Sequence, residues 1–201
     1  MKKLIILLLL LTSNLLAAIA LDQSQPTYTV NIYLQMRVAA SVLWNANSFV
    51  PTVTAICDKI TIRLSKVGLP TGHVYLTICA DNAGKPGTPL IGSNSVDVAT
   101  LSTDQTNGAL VDFGFGDAPP ALVANTKYWF KYDGDYAISN VNYAQIFLKT
   151  PGGSTFGYYN GSSFVTPYVT ADACYFEYYV VPVTITHSHR LYTSYKKFGF
   201  R

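Results

Sequence analysis

Ile56-Cys57-Asp58-Lys59-Ile60-Thr61-Ile62-Arg63-Leu64 and, nine residues on, His73-Val74-Tyr75-Leu76-Thr77-Ile78-Cys79-Ala80 are the two runs whose reading decides the fold. In the first, Ile56, Ile60, Ile62 and Leu64 fall on one face, while Lys59, Thr61 and Arg63 fall on the other. In the second, Val74, Leu76 and Ile78 share a face. A period of two, rich in β-branched residues, is the mark of a half-buried strand. Between them Gly68-Leu69-Pro70-Thr71-Gly72 supplies the residues that turn a chain. The pair therefore reads as two neighbouring strands.

Working outward, the same grammar recurs. Asp81 to Pro89 holds Asp, Asn, two Gly and two Pro, a loop signal. Weaker strands are expected at Leu90–Ser93, Ser95–Ala99 and Ala109–Phe115, and stronger ones at Lys127–Tyr132, Tyr143–Lys149 and Cys174–Val181. Residues 31–48 read as strand, helical turn or both. No long stretch carries a helical period. Antiparallel strands of this length close a core by stacking two sheets face to face. The expectation is an all-β protein, a jelly-roll or Greek-key β-sandwich of about eight antiparallel strands. An immunoglobulin-type sandwich is the alternative, but Trp44 precedes Cys57 and Trp129 is far from each Cys, unlike the usual Cys-Trp-Cys order.

The ends read differently from the middle. Lys2 and Lys3 precede an apolar run from Leu4 to Leu11, and Ala18-Ile19-Ala20 has the small-x-small form of a cleavage site. Residues 1–20 are thus expected to be a signal peptide cut before Leu21, with an uncleaved membrane anchor as the alternative. Residues 21–181 form the expected sandwich domain. Residues 182–201 form a basic extension holding Arg190, Lys196, Lys197 and Arg201 without an acid. Such a tail could contact an anionic surface or a partner chain, or stand as a solvated terminus. Without Lys2 and Lys3 the 14 basic residues fall to about as many as the 11 acidic ones, so charge alone argues no nucleic-acid partner. The expected location is secreted or cell-surface, touching membrane only if the signal segment stays attached.

Met36 to Gly68 resembles the opening of a family of bacterial and phage-associated extracellular β-sandwich domains, some of them choice-of-anchor domains of surface proteins. The resemblance rests on Ser48-Phe49-Val50-Pro51 leading into Ile60 to Gly68, then Pro70-Thr71-Gly72-His73-Val74, Ala80 to Gly87 and Ala124 to Trp129. It continues through Phe156 to Phe164 to the strand Cys174–Val180. It implies a jelly-roll, carbohydrate-binding-module-like unit, and it brings no catalytic or ligand residues with it.

The chemistry that can be read directly is sparse. No nucleophile elbow, P-loop, dinucleotide fingerprint or zinc-protease motif is present. Glu177 is the single glutamate. Asp133 and Asp135, flanking Gly134, are the carboxylates a glycosidase reading would need, and a turn is the simpler explanation of them. His187 and His189 would share a face on a strand but lack a third metal ligand. Calcium could use Asp81 with Asn82, or Asp133 with Asp135, although Asx-turns account for both pairs without a metal. No cofactor is otherwise expected. Cys57, Cys79 and Cys174 allow one disulfide of undetermined pairing, or none.

Aromatic residues are the more suggestive feature, with 15 Tyr, 10 Phe and 2 Trp. Tyr158, Tyr159, Phe164 and Tyr168 surround Asn160-Gly161, the strongest short hairpin signal, and Trp44 is a further candidate. These five are the candidate ligand-binding residues, and the alternative is that the aromatics beside the turn simply roof one end of the core. Aromatic rings offer a flat apolar face, and Tyr adds a hydroxyl, a combination suited to a sugar ring or a protein hot spot. Asn160-Gly161-Ser162 is also an N-glycosylation sequon. The functional expectation is a secreted, non-enzymatic binding or adhesion module whose partner is a glycan or surface protein. The alternative is a self-associating structural part of a surface layer, appendage or virion-associated assembly.

Overall fold

A computed structural model describes residues 17–24, 33–116, 121–149, 155–168, 172–173 and 175–182. These fall almost entirely within one compact unit, Ile19–Val181. In chain order the strands are β1 (Ala17–Ser24), β2 (Tyr33–Met36), β3 (Trp44–Phe49), β4 (Ala55–Val67) and β5 (His73–Asp81). β6 (Pro86–Gly92), β7 (Val96–Asp97), β8 (Ala109–Gly114), β9 (Ala121–Leu122) and β10 (Tyr128–Gly134) follow. β11 (Tyr143–Lys149), β12 (Phe156–Tyr159), β13 (Phe164–Tyr168), β14 (Asp172–Ala173) and β15 (Tyr175–Pro182) complete the set.

They form two antiparallel sheets. One runs β1-β15-β4-β11-β14, with β8 and β9 also on β4 and β2 on β11. The other runs β13-β12-β3-β10-β5-β6, with β7 on β5. The chain crosses between sheets repeatedly, from β3 to β4, β4 to β5 and β10 to β11, so consecutive strands seldom pair. The all-β sandwich expected from the alternating runs is the architecture found. The strand count is higher than eight because segments expected as loops hold short strands. β6 begins at Pro86, and only Asn82–Lys85 turns, with Ala83 and Gly84 at positive φ. Pro86 and Pro89 are tolerated because β6 is an edge strand. The stretch expected as a strand at Ser95–Ala99 is β7 followed by a short 3-10 turn, Val98–Thr100, capped by the Asp97 side chain on the Ala99 N–H.

The long strand β4 carries one correction. Ile56 is 41% exposed, and Cys57 takes the core position. The register against β15 shifts between Tyr178 and Tyr179, opposite Lys59 and Cys57. One extra residue in a ladder flips the facing of everything beyond it. Ile60, Ile62 and Leu64 face inward as expected and are fully buried, as are Val74, Leu76 and Ile78 on β5. With Phe49, Phe113, Phe130, Tyr132, Tyr136 and Phe156 they make the core between the sheets. Each such aliphatic side chain contributes about 1.5–3 kcal/mol on burial.

Of the stretch 31–48, residues 33–48 are described, and they form β2, a turn and most of β3. Arg37 adopts a left-handed φ of 54°, its N–H bonds the Val42 carbonyl at 2.8 Å, and the chain doubles back into β3. β3 then reads Trp44-Asn45-Ala46-Asn47-Ser48-Phe49, and its last five residues are all buried. Asn45 and Asn47 pair in register with Tyr132 and Phe130 of the core, so their side chains lie on the core face. Trp44, Ala46 and Ser48 face outward. A strand covered on both faces shows no clean alternation.

Candidate functional site

The outer face of the second sheet carries a small hydrophobic cluster of its own. Ala46, Cys79 and Trp129 are buried there, with Trp44 and Phe164 packed on them. β3 brings Trp44, β12 brings Tyr159 in register with it, and β13 brings Phe164 in register with Tyr159. The Trp44 and Tyr159 rings stack at 5.0 Å with 3° between their planes. Phe164 lies at 5.7 Å and 17° from Trp44, and meets Trp129 edge-on at 5.4 Å.

Phe164 can reach across β12 because residue 157 is glycine. A Cβ at Gly157 would stand 2.7 Å from the Phe164 Cζ, so the ring occupies the space a side chain would need. The register partner Ala46 is also small. The turn Asn160–Ser163 fixes the hairpin. Asn160 Oδ1 accepts the Ser162 and Ser163 N–H groups at 3.0 and 2.8 Å, and Gly161 takes a φ of 88°. The sequon asparagine therefore sits in an Asx-turn with its carbonyl oxygen already engaged. Trp44, Tyr159, Phe164, Ser162, Ser163, Lys85 and Pro86 line an open hollow of about 340 Å³.

Charged groups border this cluster. Lys131 places its ammonium 4.9 Å over the Trp44 ring and 3.0 Å from Asp133, which also faces Arg37 at 3.9 Å. Asp81 accepts the Trp129 indole N–H at 2.7 Å and the Gly84 N–H at 3.3 Å. Burial pushes the Cys79 thiol up from its ordinary value, and the Lys131 charge offsets this only in part.

Of the five expected aromatics, three come together. Tyr158 does not join them: adjacent strand residues point to opposite faces, and Tyr158 pairs with Asn45. It lines a second hollow of about 360 Å³ with Tyr33, Leu34, Gln35, Val38 and Val42. The Tyr168 backbone lies on β13, and its side chain is outside the described residues. The acids weighed for calcium each have protein partners. Asp81 binds the indole, the Asn82 N–H donates to the Lys85 carbonyl at 2.9 Å, and Asp133 is ion-paired. Asp135 accepts the His73 N–H at 2.5 Å and faces its Nδ1 at 3.2 Å. Its carboxyl is held below the usual range by the His73 N–H first and the ring second. Among the described residues no three His, Cys, Asp or Glu side chains converge.

Cys57 lies in the inter-sheet core and Cys79 in the outer cluster, where Cys79 is a free buried thiol, so it forms no disulfide. Cys174, His187, His189 and the basic extension from 183 onward lie outside the described residues, as do residues 1–16 of the stretch read as a leader. Its last four residues form part of β1. Among the described residues no helix is long and apolar enough to cross a membrane.

Trp129, Lys131 and Lys85 escaped the sequence reading. The signal for the first two was present, since Trp129 and Lys131 alternate with Tyr128, Phe130 and Tyr132 on β10 and so share the outer face. Lys85 had none, because its place on the rim depends on a turn. No protein family, curated protein or solved structure matches the chain.

Proposed function

We propose that this protein is an exported, non-catalytic binding module that takes a saccharide in the hollow beside Trp44, Tyr159 and Phe164. The observation that carries the reading is the gathering of these rings, from three strands, on the outer face of a sheet whose core lies on the other side. The inter-sheet core does not need them. Their stack forms an apolar wall, and Lys85, Ser162 and Ser163 bring polar groups to the same opening. A sugar ring has that same division, C–H groups on a face and hydroxyls around the edge. The hollow lies at the small end of the ~300–1,000 Å³ range of ligand sites, which suits one end of a glycan chain. The sandwich, the leader-like residues 1–20 and the resemblance to extracellular jelly-roll domains fit a module displayed at a cell surface.

The test is a broad glycan panel probed with the purified protein and two variants. Trp44→Ala should abolish saturable binding while the far-ultraviolet spectrum stays that of the parent. Tyr158→Ala, on the other face, should bind as the parent does. Absence of binding to every glycan by well-folded protein would overturn the reading, and it would favour packing against neighbouring proteins. Loss on Tyr158→Ala with retention on Trp44→Ala would move the site to the second hollow.

A further inference from the structure

The polar groups of the hollow also bear on what kind of saccharide enters it. Neutral sugars present hydroxyls, and a site that reads them needs strong acceptors, usually carboxylates, as well as donors. None of the seven residues lining this hollow is acidic. The acids closest in the fold are committed elsewhere: Asp81 to the Trp129 indole and the Gly84 N–H, Asp133 to Lys131 and Arg37. The amide oxygen at the hairpin tip is occupied too, since Asn160 Oδ1 accepts two backbone N–H groups.

Lys85 is different. It is exposed, it lines the hollow, and among the described residues it makes no ion pair closer than 4.0 Å. An ammonium group donates three hydrogen bonds and accepts none. The Ser162 and Ser163 hydroxyls can donate beside it, and the Lys131 ammonium over Trp44 has its charge matched by Asp133, which leaves Lys85 as the lining cation without an ion pair among the described residues. The opening therefore presents an ammonium without an ion pair, beside hydroxyls that can donate or accept and with no carboxylate in its lining, against an aromatic surface.

We infer that the ligand is an anionic saccharide, one whose ring packs on the aromatic wall while a carboxylate or sulfate group meets Lys85. The inference rests on the saccharide reading above and narrows it. Its shared chemistry is an anionic oxygen group on a sugar, and the experiment separates the two sources.

Two matched pairs serve as probes, titrated into the full-length protein by calorimetry. One is an oligogalacturonate and its fully methyl-esterified form; the other is a sulfated galactan oligosaccharide and its desulfated form. The charged member of at least one pair should bind about ten-fold or more tightly than its neutral twin, the scale of one charge-assisted hydrogen bond. Whichever pair shows the gap assigns the group. Lys85→Gln should close the gap between the charged member and its neutral twin, and added salt should narrow it in the parent protein. Lys85 lies on an exposed turn, so this variant tests charge rather than folding. Equal binding of both members of both pairs, unaltered by Lys85→Gln, would overturn the anionic assignment and leave the saccharide reading standing. A gap that persists undiminished in Lys85→Gln would overturn the role of Lys85. No binding of these probes or of any panel glycan would overturn both readings together.

Discussion

The two sheets bury their inner faces in the same core and treat their outer faces in opposite ways. On the first sheet, the loop Ser102–Gly108 folds over the strands. It is tied by the Lys66 N–H to the Ser102 carbonyl at 2.8 Å and by Arg63 Nη1 to the Asn107 carbonyl at 2.9 Å. Gln145 reaches the Gln105 carbonyl at 3.4 Å, and beneath this cover Ser65 and Gln145 are fully buried. On the second sheet no such loop covers Trp44, Tyr159 and Phe164 among the described residues. Aromatic rings cover one another instead, and they remain half-exposed around a hollow. A face closed by a hydrogen-bonded loop uses its polar groups on that loop and leaves little for a ligand to bind. A face closed by rings keeps an apolar surface that water wets poorly, which is what a ligand can displace it from.

This contrast predicts where substitutions should hurt stability and where they should hurt binding. The largest effect should come from Trp129→Ala, beneath the open face. The side chain is fully buried and anchors both Phe164 and Asp81. Chemical denaturation should show a loss of about 3–5 kcal/mol. A loss near zero would mean the outer cluster contributes nothing to the fold. Next comes Gly108→Ala, under the covering loop of the other face. The residue has a φ of 61°, and an added Cβ would stand 2.5 Å from the Phe147 ring and 2.7 Å from the Leu64 carbonyl oxygen. Strain and overpacking together should remove roughly 2–4 kcal/mol. Saccharide binding per folded molecule should be unchanged.

Gly157→Ala should also cost stability, roughly 1–3 kcal/mol, because the added Cβ meets the Val165 carbonyl oxygen and displaces the Phe164 ring. Unlike Gly108→Ala, it should weaken saccharide binding in the protein that remains folded. Equal binding by both glycine variants would mean the position of Phe164 is irrelevant to the hollow.

The sandwich was legible because β4, β5, β10 and β11 each show a face of Ile, Leu, Val or aromatic residues at period two. The outcome on β3 shows where that grammar stops. Asn45 and Asn47 face the core and Trp44 faces out, the reverse of what hydrophobicity would assign, because the outer cluster buries that side as well. Ile56 was misplaced for another reason: the register shift is set by β15, far away in sequence. For the site, the Asn-Gly signal correctly placed a hairpin with aromatics on its flanks. Which of Tyr158 and Tyr159 joins Trp44 depends on strand register, which residue types alone do not encode. The Asp81 bond to the Trp129 indole and the pairing of Asp133 with Arg37 join residues far apart in sequence and were invisible for the same reason, whereas Lys131 and Asp133, two apart on β10, share a face that the alternation does show.

The smallest expected effect is on pH dependence, and it separates the two faces again. The covering loop is organised by Asp104, whose Oδ1 accepts the Thr106 and Asn107 N–H groups at 2.9 Å each and whose Oδ2 accepts the Asn107 side chain at 2.9 Å. These bonds, the Asn107 side chain foremost, hold the carboxyl below its ordinary value. Asp112, on the same face, is pushed up by partial burial. The Lys59 ammonium at 2.7 Å and the Thr61 hydroxyl at 2.5 Å outweigh this, and its net shift is also downward. A carboxyl depressed in the folded state stabilises it at pH above the unfolded value of about 3.9, and that contribution is lost as pH falls through the folded value. Acidification should therefore loosen loop Ser102–Gly108 first. The amide resonances of Thr106 and Asn107 should titrate with a midpoint below that of an unfolded aspartate. Asp104→Asn should abolish that titration. The Ser162 and Ser163 amides, held by a neutral asparagine on the other face, should not move over the same range. Equal movement of both sets of amides would mean that acid loosens the sandwich as a whole, and the covered face would then have no electrostatic latch of its own.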